Sequence, residues 1–219
     1  IHEYQNFKGK KVLDVGCGNG YVLNFYSKEG AQVHGVDLTK SAIDLTKKRF
    51  EILNLQSNIE QMDGENLSFA DNTFDFVISW GVIHHSPNTK KCISEIHRVL
   101  KNDGFLILTC PDLKAICSLI ADGKILEKLY DSPSGPIYPL DVIYGYQKSI
   151  SAGNEYMAHK NGITVESIVS FMESSNFRSY VAGEAVGSYS LWLIAYKNRA
   201  VSIDDLSIQL REHIKIKKD

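Results

Sequence analysis

Along the first half of the chain, short unbroken apolar runs alternate with segments in which apolar residues recur every three or four positions. The run KKVLDV (10–15) stops at a glycine, as a strand buried on both faces does. Residues 20–29 follow with helical spacing and are closed by Gly30, a residue type suited to the left-handed position after a helix. QVHGVD (32–37) predicts a second strand. SAIDLTKKRFEIL (41–53) predicts a helix that Thr39 or Ser41 caps, with Ile43, Phe50 and Leu53 near one face. SNIEQM (57–62) reads as a weak third strand and FDFVIS (74–79) as a strong fourth. NTKKCISEIHRVL (88–100) sets Cys92, Ile93, Ile96, Val99 and Leu100 at helical spacing. Asn102-Asp103-Gly104 then predicts a turn into the strand FLILTC (105–110). Strands alternating with helices predict βαβ units: an α/β fold with a mostly parallel sheet and right-handed crossovers.

From 111 to 162 the rhythm breaks. Four of the five prolines (Pro111, Pro133, Pro136, Pro139) fall here, with tyrosines at 130, 138, 144, 146 and 156. The segment is too aromatic and too apolar for a disordered linker, and it predicts a partly helical insertion that packs over something. The alternation resumes with the helix TVESIVSFMESS (164–175) and the strands FRSYVAG (177–183) and SYSLWLIAYK (188–197). Residues 1–198 therefore form one domain carrying the insertion, followed by a tail over 199–219. The tail places Ile203, Leu206, Leu210 and Ile214 on one helical face before the closing KIKKD, as in an amphipathic helix docked on the domain; a partner surface is the lesser alternative.

Length and charge narrow the picture. A chain of 219 residues suits one domain with a sizeable core. A net charge of −2 gives no global reason to expect a polyanion, so nucleic acid is disfavoured but not excluded. Cys17, Cys92, Cys110 and Cys117 form no CxxC pair and read as reduced thiols of a cytoplasmic protein rather than a disulfide framework or a zinc site. Neither a membrane span nor an export signal is expected, because no apolar run reaches about 18 residues and the N-terminus lacks a charged-then-apolar pattern. The chain begins at Ile1 rather than Met, which leaves room for residues upstream.

The densest chemical signal is VLDVGCGNGY (12–21), expected at the carboxyl end of the first strand, where open α/β sheets bind ligands. Its glycines permit positive φ and let a ligand approach the backbone. Gly16, Gly18 and Gly20 are spaced GxGxG, with Tyr21 where a dinucleotide fold would carry its third glycine. No GK[ST] ending is present, so the loop is not a nucleoside-triphosphate loop either. By itself it could also be only a tight turn, the lesser alternative. Asp37, ending the second strand, can accept both ribose hydroxyls of an adenosyl group or serve only as a charge at a helix N-terminus.

Taken together, VLDVGCGNGY (12–21), GVDLT (35–39), MDGENLSFADNTFDFVIS (62–79) and EIHRVLKNDGFLIL (95–108) resemble, in order and at family spacing, the successive motifs of class I S-adenosylmethionine-dependent methyltransferases of the type 11-like group. The resemblance covers about residues 10–110. It implies a Rossmann-like three-layer sandwich with a seven-stranded sheet of order 3-2-1-4-5-7-6, the last strand antiparallel. It also implies S-adenosylmethionine as cofactor. Asp14 and the backbone of Gly16, Cys17, Gly18 and Gly20 would face its methionine part, and Asp37 the ribose. Asp63 would accept from the adenine amino group, with Gly64 and Glu65 beside it. Leu38 and Met62 would flank the ring, although as apolar residues next to strands they could equally be core. Ser79 and Trp80, ending the fourth strand, belong to the same expected set. The end of the insertion and the closing LWLIAYK also resemble a less characterised subset of these enzymes.

The loop SWGVIHHSP (79–87) is the expected active-site loop. It lacks the Asn/Asp-Pro-Pro-aromatic signature of nucleic-acid amino methyltransferases and the acidic ligands of magnesium-dependent catechol enzymes. That predicts a metal-independent enzyme with no metal site. His84 and His85 can deprotonate a hydroxyl or carboxyl acceptor, or only hydrogen-bond the loop. As two adjacent histidines they make a poor metal site without further ligands. His159, the third catalytic candidate, stands beside Lys160 in EYMAHKNG (155–162). Lys160, Tyr138, Tyr144 and Tyr146 line the acceptor site if the insertion folds over the pocket; otherwise the tyrosines form the insertion's own core. With about ten residues before the first strand, the insertion is the expected lid.

The expected function is methyl transfer to an oxygen or nitrogen nucleophile of a small molecule. VIHH with EIHRVL also resembles wobble-uridine carboxymethyl methyltransferases of tRNA, and an inactive cofactor-binding subunit is a further alternative. A dehydrogenase is disfavoured by the glycine spacing. A homodimer is left open.

Overall fold

The computed structural model describes residues 4–185 and 189–214. The βαβ rhythm is realised as β1 (Lys11–Val15), α1 (Tyr21–Lys28), β2 (Gln32–Asp37), α2 (Lys40–Ile52), β3 (Asn58–Gln61), β4 (Phe74–Trp80), α3 (Thr89–Val99) and β5 (Leu100–Pro111). The insertion contributes α4 (Leu113–Ala121), a hairpin of β6 (Tyr130–Ser132) and β7 (Gly135–Ile137), α5 (Pro139–Tyr144) and α6 (Gln147–Ser151). The chain then returns through α7 (Val165–Ser174), β8 (Ser179–Ala185), β9 (Ser190–Tyr196) and α8 (Ile203–Ile214).

The main sheet runs β3-β2-β1-β4-β5-β9-β8. With its seven strands numbered in chain order this is 3-2-1-4-5-7-6, the expected order. β1 to β5 pair in parallel, and β9 is antiparallel to both β5 and β8. Strand alternation splits the core in two. Leu13, Val15, Val77, Leu106 and Leu193 face one side with Ile93, Ile96 and Met172. Val12, Phe76, Ile78, Ile107 and Ile194 face the other with Leu23, Tyr26 and Phe50. Burying both faces is why these strands read as unbroken apolar runs.

Local expectations hold or shift for identifiable reasons. Thr39, not Ser41, caps α2, accepting from the Ala42 N–H at 3.3 Å. The apolar face of α2 is Ile43, Thr46 and Phe50; Leu53 lies beyond the helix and is exposed. Asn102-Asp103-Gly104 is not a turn, because β5 already begins at Leu100. The Lys197 N–H donates to Gly104 O at 3.0 Å and the Asn198 N–H to Asn102 O at 3.0 Å, pulling this stretch into the sheet past a register shift. The β6–β7 hairpin was not expected, since three-residue strands leave no periodicity to read. In α8, Leu206 and Leu210 join the core, whereas Ile203 is 71% exposed, so the docked face is narrower than the sequence implies. The side chain of Ile214 and the KIKKD segment lie outside the described residues.

Candidate functional site

The chain reverses its winding between β1 and β4, and the loops after β1, β2 and β4 converge there, at the switch point that binds ligands in open α/β sheets. Gly16 has φ +83°, and a Cβ there would lie 2.3 Å from Val82 Cγ1. The loop after β1 therefore presses directly on the loop after β4. Gly18, with φ +54°, has nothing within 4 Å of where its Cβ would stand, which leaves its backbone open to a ligand.

The glycine loop spends its own donors. The N–H groups of Gly16 and Cys17 both donate to Val36 O, at 2.8 and 2.9 Å, and that of Gly20 to Cys17 O at 2.8 Å. The Gly18 N–H donates to Asp37 Oδ2 at 3.1 Å. A phosphate cradle needs such groups free. What the loop presents instead is negative charge. Asp14 is 3% exposed, its Oδ1 has no partner among the described residues, and burial, reinforced by Asp37, pushes its carboxyl up to about 7. A buried, unpaired carboxyl beside a second carboxylate suits a cationic ligand carrying donors and repels a pyrophosphate.

Asp37 accepts the Gly18 N–H and, through Oδ1, the Thr39 N–H and hydroxyl, each at 2.9 Å. A carboxylate has about four acceptor directions, so one stays open for a further donor such as a ribose hydroxyl. Leu38 is 51% exposed at the start of the next loop, an apolar surface beside Asp37 rather than core. Met62 is half-buried and packs on the core, its sulfur accepting the Ser68 N–H. Asp63 is exposed and uses Oδ1 on the Glu65 N–H at 2.8 Å, and Gly64 seats against Val15 and Cys92. Glu65 accepts from the Ser86 hydroxyl and the Asn88 N–H, tying the loop after β3 to the loop after β4.

Three residues of the expected cofactor set have side chains engaged elsewhere, Cys17 having been expected to contribute only its backbone. The Cys17 side chain lies in the core against Thr46, and burial pushes its thiol up to about 12. Ser79 is fully buried, with its hydroxyl donating to Val15 O at 3.0 Å. Trp80 leans over β5 onto Trp192 of β9, ring centroids 4.8 Å apart, away from the Asp37 side of the sheet. Conversely, two residues on one face of α2 were missed. Thr46 donates its hydroxyl to Gly18 O at 2.8 Å and Arg49 its Nε to Asn19 O at 2.7 Å. Their i,i+3 spacing on the helix after β2 was the available signal.

His84, His85 and His159 come together. Ring centroids of His84–His85, His84–His159 and His85–His159 are 4.3, 4.3 and 4.7 Å apart. The backbone makes this contact: His84 O accepts the N–H groups of Lys160 and Asn161 at 2.8 and 3.1 Å, and Asn161 Nδ2 donates to Ser86 O at 2.6 Å. His84 is buried and its Nδ1 has no partner among the described residues. Burial and the neighbouring imidazoles hold His84 well below the usual histidine range, and His159 is pushed down to about 4 by burial and His85. Burial also lowers His85, against smaller opposing pulls from its bond to Ala158 O and from the Asp37 carboxylate.

The remaining acceptor candidates divide. Tyr146 braces the insertion, donating its hydroxyl to Ser134 O at 2.7 Å. Tyr138 and Tyr144 are exposed, and Lys160 joins the histidine loop through its backbone while its side chain is exposed.

Residues 13–108 match the family model described as a methyltransferase domain. The chain is 34% identical over 109 residues to the ubiquinone biosynthesis O-methyltransferase of Coxiella burnetii, covering 50% of this chain and 47% of that protein. It is 33% identical over 164 residues to the phthiotriol/phenolphthiotriol dimycocerosates methyltransferase 1 of Mycobacterium ulcerans, covering 72% and 55%. The chain thus spans about half the length of the curated relatives it matches. A solved methyltransferase from Aquifex aeolicus shares the fold at 21% identity with a TM-score of 0.57, over 88% of this chain and 85% of that one. No helix among the described residues is long and apolar enough to cross a membrane.

Proposed function

The chain belongs to the class I S-adenosylmethionine-dependent methyltransferase family, and from that premise we propose that it methylates an oxygen or nitrogen nucleophile of a small molecule. S-adenosylmethionine is the cofactor; it supplies a methyl group already activated by the positive sulfonium, which leaves alignment and water exclusion to the protein. Asp14 and the uncrowded face of the loop at Gly18 take its methionine part, Asp37 the ribose, and Leu38, Met62 and Asp63 the adenine. The insertion forms the acceptor side and the lid, with Tyr138, Tyr144 and Lys160 as its exposed contacts.

The observation that carries this reading is Asp14, a buried carboxyl with an unpartnered oxygen, set beside Asp37 in a loop whose N–H groups are mostly spent. The small-molecule acceptor draws support from a relative named for O-methylation in ubiquinone biosynthesis.

Labelled-methyl transfer into RNA, protein, lipid and small-molecule fractions tests it. Label in the small-molecule or lipid fraction is expected. Label confined to RNA or protein overturns the acceptor class, and none in any fraction overturns turnover. Limited proteolysis with S-adenosylhomocysteine tests the lid: protection within 111–162 is expected, and protection only outside it removes that role.

A further inference from the structure

The histidine trio has the geometry of a metal site rather than of a general base. One ring nitrogen of each of His84, His85 and His159 lies within 4.8 Å of those of the other two. Imidazole nitrogens around one tetrahedral Zn2+ sit about 3.3 Å apart, given Zn–N bonds of about 2.0–2.1 Å, so modest side-chain rotations suffice.

The outer partners fix the tautomers. His85 Nδ1 is 3.2 Å from Ala158 O and His159 Nδ1 is 2.9 Å from Val142 O. A carbonyl oxygen only accepts, so both Nδ1 atoms carry the proton and both Nε2 atoms present a lone pair. An imidazole donating its outer N–H to a backbone carbonyl is the usual support of a metal-ligating histidine. His84 adds a buried Nδ1 with no partner among the described residues, a group that costs free energy unless something binds it.

We propose that His84, His85 and His159 bind one divalent transition-metal ion of the Zn2+ class, and that its open coordination position takes the acceptor's hydroxyl oxygen. The first half stands on the cluster itself; the second rests on the methyltransferase reading. Three neutral imidazoles with no carboxylate among them suit zinc, cobalt or nickel and disfavour magnesium and calcium. Three protein ligands leave one position of a tetrahedral ion free, as in catalytic zinc sites. The trio adjoins the glycine loop, since Val82, which Gly16 presses on, is two residues from His84. An acceptor hydroxyl held there loses its proton to solvent while the O–H electron pair stays on oxygen, as happens to water on catalytic zinc. Specificity then falls on hydroxyl-bearing acceptors.

Chelator-stripped full chain titrated with Co2+ tests the site. Expected is equimolar binding with the visible absorption of a tetrahedral ion. Each of His84→Ala, His85→Ala and His159→Ala should weaken it at least about 100-fold, beyond the 10–100-fold typical of losing an outer partner. Cys117→Ser, which removes the exposed thiol, should leave it unchanged. X-ray absorption of Zn2+-loaded wild type, expected to count three nitrogen ligands, decides the matter should an alanine variant fail to fold. No binding by wild type, or binding retained in all three variants, overturns the site. For the acceptor role, stripping should cut methyl transfer at least about tenfold and Zn2+ should restore it. Transfer indifferent to stripping overturns that role alone. Absence of transfer to every fraction overturns the methyltransferase reading, while the Co2+ result still decides the site.

Discussion

The two sides of the candidate pocket are built differently. The cofactor side comes from consecutive βα units: Asp14 is the penultimate residue of β1, Asp37 ends β2, and the glycine loop joins β1 to α1 within a few residues. The acceptor side is assembled from the loop after β4 and the end of the insertion, whose contacts join His85 to Ala158 and Ser86 to Asn161, 73 and 75 residues apart. One side is a local consequence of strand ends; the other exists only after a long excursion of the chain has returned.

The comparison can be broken first at the loop that touches both sides. Gly16→Ala places a Cβ 2.3 Å from Val82 at a φ of +83°. Left-handed strain plus overpacking should cost about 2–5 kcal/mol in urea unfolding. A loss below about 1 kcal/mol would mean that the two loops are not pressed together.

Next is Asp14→Asn. A carboxyl raised from 3.8 to about 7 by folding destabilises the native state once pH exceeds the unfolded value, and does so fully above the folded one. The variant should therefore be more stable than wild type at pH 8, by up to about 4 kcal/mol, and the gain should vanish toward pH 4 while cofactor binding is lost. Unfolding curves at the two pH values check the sign.

Smaller is Asp37→Ala, expected to weaken S-adenosylhomocysteine binding by about 2 kcal/mol, some thirtyfold, in calorimetry. Unchanged affinity would remove the ribose assignment. Smallest is Asn161→Ala, which deletes the bond to Ser86 O and should cost about 1 kcal/mol of stability while leaving cofactor affinity intact. That split would separate the two sides directly.

The same difference explains what could be read from the sequence. Asp14, Gly16, Gly18, Asp37 and the sheet order were legible because each depends on a strand ending where its apolar run ends. The direction of the Ser79 hydroxyl, which donates to Val15 O, was not legible, because placement at a strand end does not say whether a hydroxyl faces a ligand or a neighbouring carbonyl. Asn102-Asp103-Gly104 has turn residues, yet Lys197 and Asn198, just past β9, supply partners that outweigh local preference. The three histidines were each singled out as catalytic candidates, but their mutual contact was not legible: nothing local links position 84 to position 159, and the metal expectation was argued from two histidines when folding brings three.

One bond in the fold carries a wider consequence. The Leu113 N–H donates to Ile163 O at 3.0 Å, so the excursion from α4 to Gly162 leaves and rejoins the domain at paired residues, with its end tied to the loop after β4 where His84 O accepts the Lys160 and Asn161 N–H groups. Those ends stay paired when the stretch between them changes length or content. The stretch is therefore an exchangeable cassette: evolution or an engineer can graft another one between 113 and 163 on an unaltered cofactor half. Every such exchange removes His159, and so rewrites acceptor chemistry and acceptor shape in one stroke.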